Sequence, residues 1–86
     1  MLQLYTTLGC HLCEDAEAIL AYCRGYYPEV QWRSIDIVEH ADLVQQYGVR
    51  IPVIRFINTG AELAWPFDPG QVMAFITDQT NAGRYR

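Results

Sequence analysis

The spacing of apolar positions changes along the chain, and each change marks an element. Met1 to Thr7, with Leu2, Leu4, Tyr5 and two threonines, carries little charge and no clean alternation. That pattern predicts a short strand covered on both faces. Gly9 then breaks it. From Cys10, the residues Leu12, Ala16, Ile19 and Cys23 recur at i, i+4, i+7 and i+11, which is one stripe of a helix. Glu14, Asp15 and Glu17 fill the early turns, where acids complement the helix dipole. Arg24 and Gly25 supply the expected end, with glycine as the cap. Val30 to Val38 predicts a second strand, and Gln31 and Arg33 mark it as an edge. His40 to Tyr47 predicts a short helix ended by Gly48. Ile51 to Ile57 predicts a third strand, whose Pro52 fits only at its start, where no ladder bond is lost. Asn58-Thr59-Gly60 makes a hairpin turn into a short strand over Ala61 to Trp65. Asp68 and Pro69 then open a last helix, a capping carboxylate followed by proline at the first helical position. Its buried face is Val72, Met73, Phe75 and Ile76.

Strand, helix and strand at the start form a βαβ unit with parallel strands and a right-handed crossover. A connecting helix and a ββα unit complete the order. The expected fold is α/β, a four-stranded mixed sheet flanked by helices, with the first and third strands central. The domain is expected over residues 1–80, with residues 81–86 as a frayed tail.

Composition narrows the function classes. The chain is 51% apolar and 13% aromatic over 86 residues, enough for one small core. Net charge is −4, with all six basic residues arginine. An acidic chain with scattered arginines has no footprint for nucleic acid, nor a basic stripe for a membrane surface. No apolar run approaches the ~20 residues of a spanning helix. Three cysteines bunched between positions 10 and 23 argue against a disulfide framework and for a reducing compartment. No secretory signal is visible, so the cytoplasm is the expected location.

The chemistry concentrates in Gly9-Cys10-His11-Leu12-Cys13. Two thiols two residues apart at a helix start suit reversible disulfide formation. Free backbone N–H groups and the helix dipole there favour thiolate over thiol. Cys10 is the expected attacker and Cys13, one turn inward, the resolver. His11, when protonated, assists the thiolate; Glu14, Asp15 and Glu17 oppose it from further along the helix. The Cys10 thiol is expected to titrate somewhere between about 3.5 and 7.5. A zinc site is the competing reading, but it needs four ligands, and neither a second Cys-x-x-Cys nor a matching histidine pair exists. Core packing is the third reading. For Cys23, which continues the buried stripe, packing is the better account.

With Gly-x-x-Ile-Pro-Val following at residues 48–53, and a hairpin and helix after it, the chain resembles the thioredoxin fold in its short glutaredoxin form. It is most similar to the glutaredoxin-like proteins that carry Cys-His-Leu-Cys where dithiol glutaredoxins have Cys-Pro-Tyr-Cys. The resemblance implies a cis peptide at Ile51-Pro52 beside the thiols, with the Ile51 backbone pairing with substrate. His11, Leu12, Ile51, Pro52 and Asp68 become the expected substrate-binding residues. It also implies glutathione as a candidate co-substrate, with no bound cofactor and no metal. Two departures bear on that. Glutathione-using relatives carry a lysine shortly before the first cysteine, where this chain has Thr6-Thr7-Leu8-Gly9. They also carry a Gly-Gly-x-Asp-like turn, where this chain has Trp65-Pro66-Phe67-Asp68. Asp68 is then more a helix cap than a glutathione contact. The buried acid that thioredoxins use as a base is replaced by Leu4.

Three functions follow. The first is a small thiol–disulfide oxidoreductase acting on protein disulfides or glutathione mixed disulfides. The second is a redox-inert or redox-sensing binding module that presents Pro52, Trp65 and Phe67 to a protein partner. The third is a metal or iron–sulfur carrier built from two chains.

Overall fold

The structure is a computed structural model and describes residues 2–84. In chain order the elements are β1 (Leu2–Thr6), α1 (His11–Tyr26), β2 (Trp32–Asp36), a 3-10 turn (Ile37–Glu39), α2 (Ala41–Tyr47), β3 (Val53–Phe56), β4 (Glu62–Ala64) and α3 (Pro69–Arg84). The sheet order is β2-β1-β3-β4. β1 pairs parallel with β2, antiparallel with β3, and β3 antiparallel with β4. This is the expected mixed sheet with the first and third strands in the middle.

Alternation along the central strands separates two cores. Leu2, Leu4, Ile54 and Phe56 face α1 and α3, meeting Ala16, Leu20, Cys23, Phe67 and Val72. Tyr5 and Val53 face the other way, meeting Ile37 and Tyr47. Leu4, Leu20 and Ile54 are fully buried, and each such side chain contributes about 1.5–3 kcal/mol by leaving water. The first face is closed by two long helices. The second is covered only by the seven-residue α2 and the 3-10 turn.

The structure departs from the pattern-based expectation in four places. Gly25 lies inside α1 and is not its cap; the helix runs to Tyr26 and is capped by Tyr27, whose N–H donates to the Cys23 carbonyl at 3.0 Å. The buried stripe of α1 is Cys13, Ala16, Leu20 and Cys23, while Leu12 is exposed. Both sets have helical spacing. Only the direction of β1 and the sheet decides which one turns inward. The second strand is five residues long because Ile37 begins a 3-10 turn capped by the Asp36 carboxylate, which accepts the Val38 N–H at 3.0 Å. Finally, α3 continues through Arg84, past the expected boundary at residue 80, and residues 85 and 86 lie outside the described residues.

Candidate active site

β1 delivers the chain to the thiols. After Thr6 the backbone turns through Gly9, whose φ of +79° is left-handed and open to glycine without strain. Cys10 follows in extended conformation (φ −86°, ψ 105°) as the N-cap of α1. Its Sγ accepts the Cys13 N–H at 3.1 Å, and its carbonyl accepts the Glu14 N–H at 3.3 Å. The sulfur thus occupies the position that a serine or aspartate oxygen takes at other helix starts. A donor there stabilises negative charge on Cys10 and does nothing for Cys13.

The Cα atoms of Cys10 and Cys13 are 5.2 Å apart and the two sulfurs lie at disulfide-bonding distance. Cys10 is half-buried and Cys13 buried. One sulfur is thus reachable from solvent and the other lies behind it. His11 projects outward, its Nδ1 3.6 Å from Glu14 Oε2 and both side chains largely exposed. The imidazole therefore faces the Glu14 carboxylate in solvent.

The register Tyr5↔Val53 brings the start of β3 beside the end of β1. Ala64 pairs with Val53 as well, and the Trp65 N–H donates to the Pro52 carbonyl at 3.0 Å. Hence the β1–α1 loop, Ile51-Pro52 and Trp65-Pro66 all stand at one end of the sheet. Both the Ile51-Pro52 and the Trp65-Pro66 peptides are cis. Pro52 is buried and Ile51 half-buried. The Ile51 N–H donates to the Tyr47 carbonyl at 3.1 Å, so this donor is already engaged within the chain. Phe67 is buried too, edge-on to the half-buried Trp65 at 5.0 Å between centroids. Pro52 and Phe67 therefore serve the core and present little surface to a partner. Apolar surface at this end comes instead from Leu8, 95% exposed, from Leu12, and from the fully exposed Val49. Sequence patterning overlooked Leu8 and Val49 because a single loop aliphatic belongs to no period.

Asp68 caps α3. Its Oδ1 accepts the Gln71 N–H at 2.8 Å, and Gln71 Oε1 accepts the Asp68 N–H at 2.9 Å, a reciprocal capping box. Leu4 is fully buried, and no charged or polar side chain is buried among the described residues. The Cys13 proton consequently has no buried carboxylate to go to. Among the described residues no group of three or more metal-ligating side chains occurs.

The Glutaredoxin-like domain (DUF836) family model matches residues 1–77. The chain belongs to this glutaredoxin-like family. It is similar to the X-ray structure of protein XcR50 from X. campestris, with 37% identity, a TM-score of 0.81, and 91% of this chain and 97% of that one covered. The solution structure of protein Ne2328 from Nitrosomonas europaea is 29% identical, with a TM-score of 0.73 over 86% of this chain and 87% of that one. Thioredoxin 1 from Thermosipho africanus TCF52B shares the fold at 14% identity, with a TM-score of 0.68 over 96% and 97% of the two chains. No curated protein sequence matches. The fold is thus thioredoxin-like and the chain a glutaredoxin-like domain with its Cys-x-x-Cys pair in place. No helix among the described residues is long and apolar enough to cross a membrane.

Proposed function

We propose that this glutaredoxin-like domain is a thiol–disulfide oxidoreductase working on cytoplasmic protein disulfides. The observation that carries the reading is Cys10 Sγ as helix cap, bonded to the Cys13 N–H, with the Cys13 sulfur within disulfide reach behind it. The Cys10 thiolate attacks one sulfur of the substrate disulfide. That S–S bond breaks, the other sulfur leaves as a thiolate, and a mixed disulfide forms on Cys10. Cys13, its proton passing to that thiolate or to water, then attacks Cys10 Sγ and releases the second substrate thiol. The substrate gains two electrons and the Cys10–Cys13 pair loses them. A small thiol or a second dithiol protein returns them by the reverse exchange.

The rim favours a polypeptide over glutathione. Glutathione brings two carboxylates, and the loop before Cys10 offers it Leu8 and no cation. Leu8, Leu12 and Val49 suit apolar side chains flanking a substrate cysteine. His11 and Ile51 border the same end, whereas Asp68 is committed to α3. The test is steady-state reduction of a cysteine-containing peptide disulfide against reduction of a glutathione mixed disulfide. The peptide is expected to react at least tenfold more efficiently, and Leu8→Lys to narrow that ratio by raising turnover of the glutathione substrate. Equal efficiencies that Leu8→Lys leaves unchanged would remove the argument for a polypeptide. Loss of neither activity in Cys10→Ser would remove the redox reading altogether.

A further inference from the structure

The face of the sheet opposite α1, covered only by α2 and the 3-10 turn, holds a second candidate site that the thiol chemistry does not use. The register sets Arg33 of β2 beside Gln3 of β1, Gln3 beside Arg55 of β3, and Arg55 beside Glu62 of β4. Neighbours across a sheet share a face, and this row lies on the face of Tyr5, Ile35 and Val53, clear of the helices on the other side. Adjacent strands are about 4.8 Å apart, so the two arginine Cα atoms stand roughly 10 Å apart with Gln3 between them.

Three of the four residues in the row carry N–H donors. Gln3 Oε1 accepts the Tyr5 hydroxyl at 3.3 Å and Arg55 Nη1 at 3.4 Å, which leaves its amide N–H groups without a hydrogen-bond partner among the described residues. Neither Arg33 nor Arg55 has a carboxylate within ion-pair distance among the described residues. The one acid in the row, Glu62, is already held by the Tyr47 hydroxyl and by Arg50 at 3.3 Å. Asp36 lies three residues along β2 from Arg33 and caps the 3-10 turn. Gln3 and Arg55 are half-buried and Arg33 is exposed, so the row is reachable from solvent yet anchored at its centre. In a chain of net charge −4, two arginines thus flank an amide on one row of the sheet, and the acid beside them is held by Tyr47 and Arg50.

We propose that Arg33, Gln3 and Arg55 bind a phosphate group, free or as a phosphate monoester. Two guanidinium forks match the near-dianionic charge and the three acceptor oxygens of phosphate better than the single charge of a carboxylate. Occupancy is reversible and involves no covalent step.

The test is a titration of the whole chain with inorganic phosphate at constant ionic strength, followed by nitrogen-resolved NMR of the Gln3 amide and the arginine Nε–H groups. Saturable shifts at Gln3, Arg33 and Arg55, with the residues around Cys10 unmoved, are expected. Arg33→Gln should weaken binding about tenfold, the scale of one charge-assisted hydrogen bond, and Arg33→Gln with Arg55→Gln should abolish it. Acetate in place of phosphate should bind at least tenfold more weakly. Shifts that grow linearly without saturating, that survive Arg33→Gln unchanged, or that acetate reproduces at the same concentration would each overturn the proposal. Arg33 is exposed, so its single variant carries the test should substitution of Arg55 disturb the fold.

Discussion

Two cysteines ten residues apart on one helix show how position decides what a thiol can do. Cys13 and Cys23 both belong to the buried stripe of α1. Cys13 lies within one turn of the helix start, at disulfide distance from a partner sulfur that the helix terminus itself holds. Cys23 lies nearly three turns on, wholly buried, with its S–H directed at the Pro69 carbonyl 3.8 Å away. Burial pushes the Cys23 thiol up from its ordinary range, because a thiolate there would lose water and gain no donor. One thiol is placed within bonding reach of a second sulfur and the other for packing, on the same element and with the same side chain.

The severest way to break the comparison is to remove the attacking sulfur. Cys10→Ser should abolish disulfide exchange below detection while leaving the fold intact, since serine caps a helix at least as well as cysteine. Cys13→Ser should stop the reaction one step later, leaving a stable mixed disulfide on Cys10 that mass spectrometry resolves. Retained turnover in Cys10→Ser, or no trapped adduct in Cys13→Ser, would show that the two sulfurs do not divide the work. Next in size, native protein treated with an alkylating reagent under reducing conditions should lose the Cys10 thiol at least a hundredfold faster than Cys23. Cys10 should also react at a lower pH than a free cysteine. Comparable rates at both sites would erase the distinction between exchange and packing.

Much of this was readable along the chain, and the parts that were not share a cause. The helix start at Cys10, the cap at Asp68, the edge position of Arg33 and the hairpin at Asn58 to Gly60 rest on local rules about dipoles, caps and turns. Local rules need only neighbouring residues. Leu12 and Cys13 offer alternative stripes of equal period, and only contact with the sheet distinguishes them. Gly25 reads as a stop, yet packing of α1 carries the helix past it to Tyr26. Phe67 reads equally as partner surface or as core, and it is core, because Trp65 and α3 close over it. The Tyr5, Tyr47, Glu62 and Arg50 cluster draws on three separate segments, so no window of sequence could show it.

The packing role of Cys23 can be tested by its own stability cost. Cys23→Ala should leave exchange activity unchanged and lower stability by about 1–2 kcal/mol, the usual scale for losing a small buried group. Its effect on pH dependence has a definite sign. A thiol whose pKa is raised on folding contributes stability that is full below the unfolded pKa, about 8.5. That contribution fades as pH rises, because the unfolded chain gives up its proton first. Chemical denaturation of the wild type should therefore weaken above about pH 8.5, and the alanine variant should lose less over the same interval. Identical slopes would mean that Cys23 is not buried in solution.

Tyr47 extends the burial half of the comparison to the opposite face of the sheet, with a smaller expected effect. Its ring stacks on Tyr5 at 4.4 Å between centroids, and its hydroxyl donates to the Glu62 carboxylate. Burial first, and then that carboxylate, push its pKa up to about 12. Its backbone carbonyl accepts the N–H groups of Arg50 and Ile51 at 2.8 and 3.1 Å, which ties α2 to the residues entering β3. The raised pKa makes its contribution to stability full below about pH 10, the usual tyrosine value, and lost as pH rises toward 12. Tyr47→Phe keeps the stack and the backbone bonds. It removes the hydroxyl while Glu62 keeps Arg50, so the cost at neutral pH should be about 1 kcal/mol. Between pH 10 and 12 the variant should lose less stability than the wild type, so that the two denaturation curves converge. Curves that stay parallel across that interval would mean that the Tyr47 hydroxyl reaches water in solution, and that its carbonyl bonds alone hold α2 to β3.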